Sequence, residues 1–385
     1  MRVLFTCVVG HGHFNPMVPL ARALEAAGHR VAFATDPGFC DHVRSVGFEA
    51  HPAGLDQAEA LARFVAVTPG WAQIPAQDRM PVQFPGLFAG VRAPRMLEDL
   101  EPLVATWRPD LVIHDTAEMA GAIAAQAMGI VHAEHSFGIL RPAIIRTVAT
   151  EVLAPIAARR GVRDPGVSGS NGELYIDICP PGIQGPEIDD VVNIQRLRPG
   201  TSEAVGDTGL PPWVADLAAR PTVYVTMGTV FNKSADVFAA VLEGLRDEDV
   251  TVIVTVGETG DPALLGAQPD NVHIERYIPQ AALLPHCDVL VSHAGSGATL
   301  GALAAGVPML AIPQGADQFF NAEAITRLGA GLRLLPAEFT VPAVRAAVRD
   351  LLSDRRFRDV ARAEQESIAE MPPPASIVPT LEALV

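Results

Sequence analysis

Short runs rich in valine and other strand formers alternate along this chain with segments of helical periodicity, and the alternation comes in two series. The first reads as strand "RVLFTCVV", a Gly/His turn, helix "PMVPLARALEAAG" and strand "RVAFATD". Met17, Leu20, Ala21 and Leu24 stand at helical spacing and Gly28 is the stop. Asn15 is expected to cap that helix and Pro16 to open it. The second series runs "PTVYVTMGT", "ADVFAAVLEGLRD", "VTVIVTVG", "NVHIERYIP", "CDVLVSHAG" and "LGALAAGVPMLAIP". Strands alternating with helices require parallel sheets covered on both faces, and two series require two doubly wound domains. Between them "RLRPGTSEAVGDTGLPPW" is rich in Pro and Gly and has no periodicity. The expectation is an N-terminal domain over 1–200, a linker over 201–218 and a second domain over 219–365. Ligand sites belong at the carboxyl edges of parallel strands, so a cleft between the domains is the expected site.

The 385 residues, 49% of them hydrophobic, suffice for two cores. With 28 Lys and Arg against 44 Asp and Glu, the net charge of −16 repels a nucleic-acid backbone. Only one cation is a lysine, Lys233, and no glycine precedes it, so there is no GxxxxGK phosphate loop. Any phosphate must be held by backbone N–H groups, His, Ser, Thr or Arg. No run of eighteen apolar residues occurs, and "MRVLFTCVV" passes into a Gly/His turn without a cleavage site, so a soluble cytoplasmic protein without a membrane partner is expected. Cys7, Cys40, Cys179 and Cys287 lack metal or disulfide spacing and read as buried hydrophobes.

The second series carries the most informative stretch. In "VLVSHAGSGATLGALAAGVP" an apolar strand ends at His293 and runs through Gly295, Ser296, Gly297, Ala298 and Thr299 into a helix. Glycines let backbone N–H groups approach an anion, and the helix dipole favours negative charge there, so a diphosphate fits without lysine. A Gly-rich turn is also common in α/β folds and by itself names no ligand. "AIPQGADQFFNA" places Asp317 and Gln318 after the next strand, where a carboxylate and an amide can bind vicinal hydroxyls or can cap the next helix. "ERYIPQ" offers the Tyr277 ring as a face for a base and the Ile278 main chain as a polar edge.

Taken together, these three stretches closely resemble the nucleotide-sugar signature of family 1 glycosyltransferases with the GT-B fold, two Rossmann-like parallel-sheet domains facing across a cleft. "GHGHFNP", Gly10 to Pro16, resembles the acceptor-side loop of the same family, nearest to bacterial natural-product members acting on macrolide, enediyne or aromatic polyketide aglycones. The resemblance implies that His293 and the backbone from Gly295 to Thr299 hold the diphosphate. It assigns Asp317 and Gln318 to the donor hexose, and Gly228, Thr229, Tyr277, Ile278 and Gln280 to the nucleoside. It makes His13 the base that deprotonates the acceptor and Asp115, in "RPDLVIHDTAEMAG", the carboxylate that orients it. Many uridine-diphosphate-sugar users carry a ribose-binding glutamate eight residues after the signature histidine. Gly301 stands there instead, which favours a dTDP-sugar as co-substrate.

The implied reaction is inverting displacement by an activated hydroxyl, with no metal and no other cofactor. The acidic run Asp247 to Asp249 reads as solvated surface. Acceptor contacts are expected from Phe84 and Phe88 in "GWAQIPAQDRMPVQFPGLFAGV", and from His135 and Phe137. Residues 366–385 resemble the family's last helix, which returns to the N-domain. The partners expected are a nucleotide-sugar donor and an aglycone, with a homodimer left open. Two rival readings stand beside this one. His11 and His13, if the strand extends through them, would share a face and could bind metal for hydrolysis, and a nucleotide-sugar-binding accessory protein would need no turnover.

Overall fold

The structure, a computed structural model, describes residues 1–167, 174–200, 209–217, 220–228, 235–257 and 260–385. The described residues group into two compact units, Met1–Cys179 with Gln184–Val205 and Met371–Val385, and Pro180–Ile183 with Gly206–Glu370. No described helix is long and apolar enough to cross a membrane.

The first unit is built on seven strands: β1 (Arg2–Thr6), β2 (Arg30–Thr35), β3 (Glu49–Pro52), β4 (Leu111–Asp115), β5 (Val131–His135), β6 (Leu174–Asp177) and β7 (Ile194–Arg196). Their order is β3-β2-β1-β4-β5-β6-β7. The second holds six: β8 (Thr222–Thr226), β9 (Thr251–Thr255), β10 (Val272–Glu275), β11 (Val289–Ser292), β12 (Met309–Ala311) and β13 (Gly331–Arg333), in the order β10-β9-β8-β11-β12-β13. Every pairing among the described strands is parallel. The central strands β4 and β8 are buried at every position, as a sheet with helices on both faces demands, which is why their runs are unbroken rather than alternating. In the second unit Val223, Val225, Val252, Val289 and Val291 pack against Phe238, Val241, Val344 and Val348 of the covering helices. In the first, Phe5 stacks on Phe33 with ring centres 4.9 Å apart, and Phe14 and Phe48 close on the same ring.

Both sheets wind outward in two directions from a central pair, β1/β4 in one and β8/β11 in the other. Loops at the carboxyl ends of such a pair leave in opposite directions and open a crevice for ligands.

Two assignments differ from expectation. Residues 366–370 complete the helix Arg355–Glu370 of the second unit, and only 371–385 group with the first. There Ile377 and Leu381 are buried, the Arg198 N–H donates to the Pro372 carbonyl at 2.7 Å, and His29 pairs with Glu382 at 2.9 Å. Residues 180–183, expected in the N-terminal domain, group with the second unit, and Arg327 donates to the Ile183 carbonyl at 3.0 Å. Of the linker, 201–208 and 218 lie outside the described residues; within it Trp213 stacks on His273 at 4.1 Å.

Candidate active site

The turn after β1 is helical rather than extended. β1 ends at Thr6, and from Gly10, at φ +128°, the chain winds as His11–Phe14, a 3₁₀ turn Asn15–Met17 and the helix Val18–Ala26. Pro16 and Pro19 lack the N–H groups that an unbroken α ladder needs, so the winding tightens between them. Asn15 therefore sits inside the turn and makes no side-chain cap, contrary to expectation.

This winding separates the two histidines. Residues two apart on an α-turn point about 200° apart. The His11 ring lies 4.3 Å from that of His42 and 5.3 Å from Phe39. His13 turns the other way, and its Nδ1 lies 2.8 Å from Asp115 Oδ2. The shared face that a metal pair required is absent. Among the described residues no three His, Cys, Asp or Glu side chains gather as a metal site. The acidic run at 247–249 is engaged by arginines instead: Arg345 lies 3.4 Å from Asp247, Arg349 2.8 Å from Glu248 and Arg220 3.8 Å from Asp249.

Asp115 ends β4 beside β1, so the dyad stands at the first sheet's crevice. The carboxylate is 1% exposed and its Oδ1 accepts from the Ala117 N–H at 3.2 Å. The imidazole N–H is turned off the line to Oδ2, so the contact is close without being an aligned hydrogen bond, as is common before substrate binds. Phe137 packs edge-on against His13, ring centres 4.6 Å apart. Arg141 lies over both Phe137 and Phe84, at 5.0 and 4.0 Å.

The expected acceptor residues divide. Phe88, on the π-helix Phe84–Arg92, lines a small pocket of about 20 Å³ with Leu55, Met96 and Met119. Phe84 is fully buried under Arg141, and His135 is 1% exposed with Nδ1 against the Ser136 carbonyl at 2.6 Å. Both shape the fold behind the site and offer no surface to an acceptor, because their strand or helix turns them into the core. Glu118 went unnoticed in the sequence. It lines the same pocket and accepts from Thr6 Oγ1 and the Ala120 and Gly121 N–H groups, and burial pushes its carboxyl up to about 7.

At the crevice of the second sheet, His293 follows β11 and Gly228 follows β8. The imidazole lies between two glycines: a Cβ on Gly228 would come within 2.5 Å of its Cε1, and one on Gly295 within 2.5 Å of its Nε2. These glycines thus make room for a ring. Gly297 faces open space and is free to admit a ligand. Burial pushes His293 down to about 4, opposed by the Asp317 charge and a main-chain hydrogen bond with Thr226, so the ring is neutral at pH 7. The helix Ser296–Ala304 starts beside it with no side-chain cap, leaving its first N–H groups for an anion.

Asp317 precedes the helix Gln318–Leu328 without capping it; its Oδ2 accepts from Ser296 Oγ at 2.7 Å. Gln318 is 2% exposed and its Oε1 accepts from the Gln314 and Gly315 N–H groups at 2.7 and 3.0 Å, so it holds its own loop. Tyr277 is 47% exposed, whereas Ile278 is buried. A Cβ on Gly301 would come 2.6 Å from Gln280 Nε2. Thr229 lies outside the described residues.

Residues 22–228 match the N-terminal domain, and 239–384 the C-terminal domain, of the family described as erythromycin biosynthesis protein CIII-like. The L-demethylnoviosyl transferase of Streptomyces niveus is 36% identical over 100% of this chain and 98% of its own. The chain belongs to the CIII-like antibiotic glycosyltransferases. Among solved structures, the glycosyltransferase VinC in complex with dTDP is 27% identical with a TM-score of 0.81, covering 100% of this chain and 99% of that one. The spinosyn rhamnosyltransferase SpnG complexed with spinosyn aglycone is 25% identical with a TM-score of 0.85, covering 99% of this chain and 100% of that one. A CIII-like glycosyltransferase thus has the GT-B fold, two doubly wound parallel-sheet domains, each with polar residues gathered at its own crevice.

Proposed function

We propose that this glycosyltransferase moves a hexose or deoxyhexose from a dTDP-sugar to a hydroxyl of a hydrophobic aglycone, with inversion and without metal. The observation that carries the reading is the 2.8 Å contact of His13 Nδ1 with the buried Asp115 carboxylate. A carboxylate on Nδ1 selects the tautomer protonated there and leaves the Nε2 lone pair to act as base. The acceptor, held by the first unit, gives its proton to Nε2 as its oxygen forms the bond to the anomeric carbon. The bond from that carbon to the diphosphate breaks on the opposite face, and the electron pair leaves with the phosphate, which accounts for inversion.

The diphosphate gathers charge as it departs. The N–H groups at the start of Ser296–Ala304 and the neutral His293, acting as a hydrogen-bond donor rather than a cation, meet that charge. Asp317 binds donor hydroxyls and Tyr277 stacks on the base. Relatives complexed with dTDP and with an aglycone support this division of labour.

Calorimetric titration with dTDP and with UDP, in chelator-treated protein, tests the donor half. Tighter binding of dTDP is expected; tighter UDP binding overturns the donor assignment, and binding of neither overturns the reaction. The anomeric configuration of a product formed from a dTDP-sugar in chelator tests inversion and metal independence together.

A further inference from the structure

Two alanines at the donor crevice hold left-handed backbone, Ala294 at φ +61° and Ala316 at φ +53°. Residues with a Cβ adopt this region rarely, and it persists only where surroundings enforce it. Ala294 separates His293 from the anion-facing turn, and Ala316 directly precedes Asp317. The enforcing groups are two buried amides on one helix, Gln318–Leu328. Gln318 holds the loop of Ala316 through Gln314 and Gly315, as described. Asn321, 2% exposed, donates through Nδ2 to the Ala294 carbonyl at 2.9 Å. The same nitrogen lies 3.2 Å from Ser296 Oγ and 3.1 Å from Asp317 Oδ2. One amide thus ties the first residues of the diphosphate turn to the carboxylate assigned to the sugar. Its bonds fall on Oδ2 of Asp317 and leave Oδ1 to accept from a donor hydroxyl.

We infer that Asn321 is a positioning residue of the donor site: it holds Ala294 left-handed and sets the spacing between the diphosphate donors and Asp317. It touches neither diphosphate nor sugar. Without it, Ala294 relaxes toward ordinary backbone and the N–H groups after it lose their aim, while Asp317 loses a partner that fixes its rotamer. The inference rests on the donor reading above.

Calorimetric titration of wild-type protein, Asn321→Ala and Asn321→Asp with dTDP and with dTDP-glucose tests it. A residue needed only for folding lowers the fraction of protein able to bind and leaves the dissociation constant of the folded fraction alone. A positioning residue changes the constant at unchanged stoichiometry. Both variants are expected to bind dTDP about tenfold more weakly, dTDP-glucose at least as much so. Adding Ala294→Gly to Asn321→Ala is expected to recover about threefold, since glycine holds positive φ without a restraint. Should Asn321→Ala not fold, the isosteric Asn321→Asp carries the same test. Affinity within twofold of wild type in the folded variant, or no recovery from the glycine, overturns the assignment. Wild-type protein that binds neither dTDP nor UDP strikes the donor reading instead.

Discussion

His13 Nδ1 and Asp115 Oδ2 meet at 2.8 Å although 101 residues separate them in the chain, because β1 and β4 are neighbours in the sheet. The side chains are unequally exposed, 21% for His13 and 1% for Asp115, so the imidazole reaches solvent and the carboxylate beside it does not. A hydroxyl can therefore approach the ring without meeting the carboxylate.

His13→Gln keeps size and a hydrogen-bonding group but cannot take the proton. Acceptor-dependent turnover is expected to fall by about 10²–10⁴ while dTDP affinity stays within twofold. Turnover near wild type would remove His13 as base. Asp115→Asn should lower turnover through loss of tautomer control, with the nucleotide again bound normally.

Gly295→Ala directs a methyl group at the buried imidazole of His293. The ring must leave its place between Gly228 and Gly295, and dTDP affinity is expected to drop about tenfold or more. His293→Gln, a neutral donor of smaller bulk, should cost less. If His293 acted as a cation, the glutamine would be the more damaging change, and the comparison of the two dissociation constants decides.

Gly301→Glu brings a side chain against Gln280 and Leu284, whose nearest atoms lie 2.6 and 3.4 Å from the added Cβ. Displacing Gln280 and adding a carboxylate should shift preference from dTDP toward UDP by about tenfold, read by competition of the two nucleotides. An unchanged ratio would show that Gly301 does not select the ribose.

Acid should destabilise the fold before it titrates most carboxylates. Burial pushes His132, His135 and His293 down to about 4 and His114 well below its ordinary 6.5. These rings stay neutral when folded and take a proton when unfolded, so stability present above pH 6.5 is lost as pH falls toward 4. Glu118, raised to about 7, works the other way between 7 and 4.5, as the less strongly raised Asp36, Asp177 and Glu364 do nearer their usual range. Four histidines outweigh one strongly shifted glutamate, and a melting temperature lower by about 5 °C at pH 5 than at pH 7 is expected. A flat or rising temperature would contradict buried neutral rings.

The sheets were legible because strands buried on both faces write themselves as unbroken apolar runs, and the donor signature because glycines interrupt them at fixed places. Shorter elements escaped: Leu174–Asp177 and Ile194–Arg196 lie at the end of the first sheet and are too brief for a periodic signal. The relation of His11 to His13 stayed open in the sequence because a period of two holds only while the strand continues, and β1 ends at Thr6. Glycines flanking His293 were visible as glycines, but their task of clearing space for a ring was not. Ala294 and Ala316 gave no warning at all, since positive φ is announced in sequence by glycine or asparagine and here is imposed by amides from a helix further along the chain. Phe84 shows the converse, a residue type suited to a ligand that the fold buries in its core.

Each of the two sheets makes its own crevice, and the polar residues at one share no strand with those at the other. On the proposed division of labour, the choice of sugar and the choice of aglycone are therefore separate inheritances. Substitutions around Tyr277, Gln280 and Asp317 would then retune one while Phe88, Phe137 and the dyad stay fixed, and the reverse would hold as well. A lineage built this way explores pairings of sugar and scaffold one partner at a time, without ever passing through a form that has lost both.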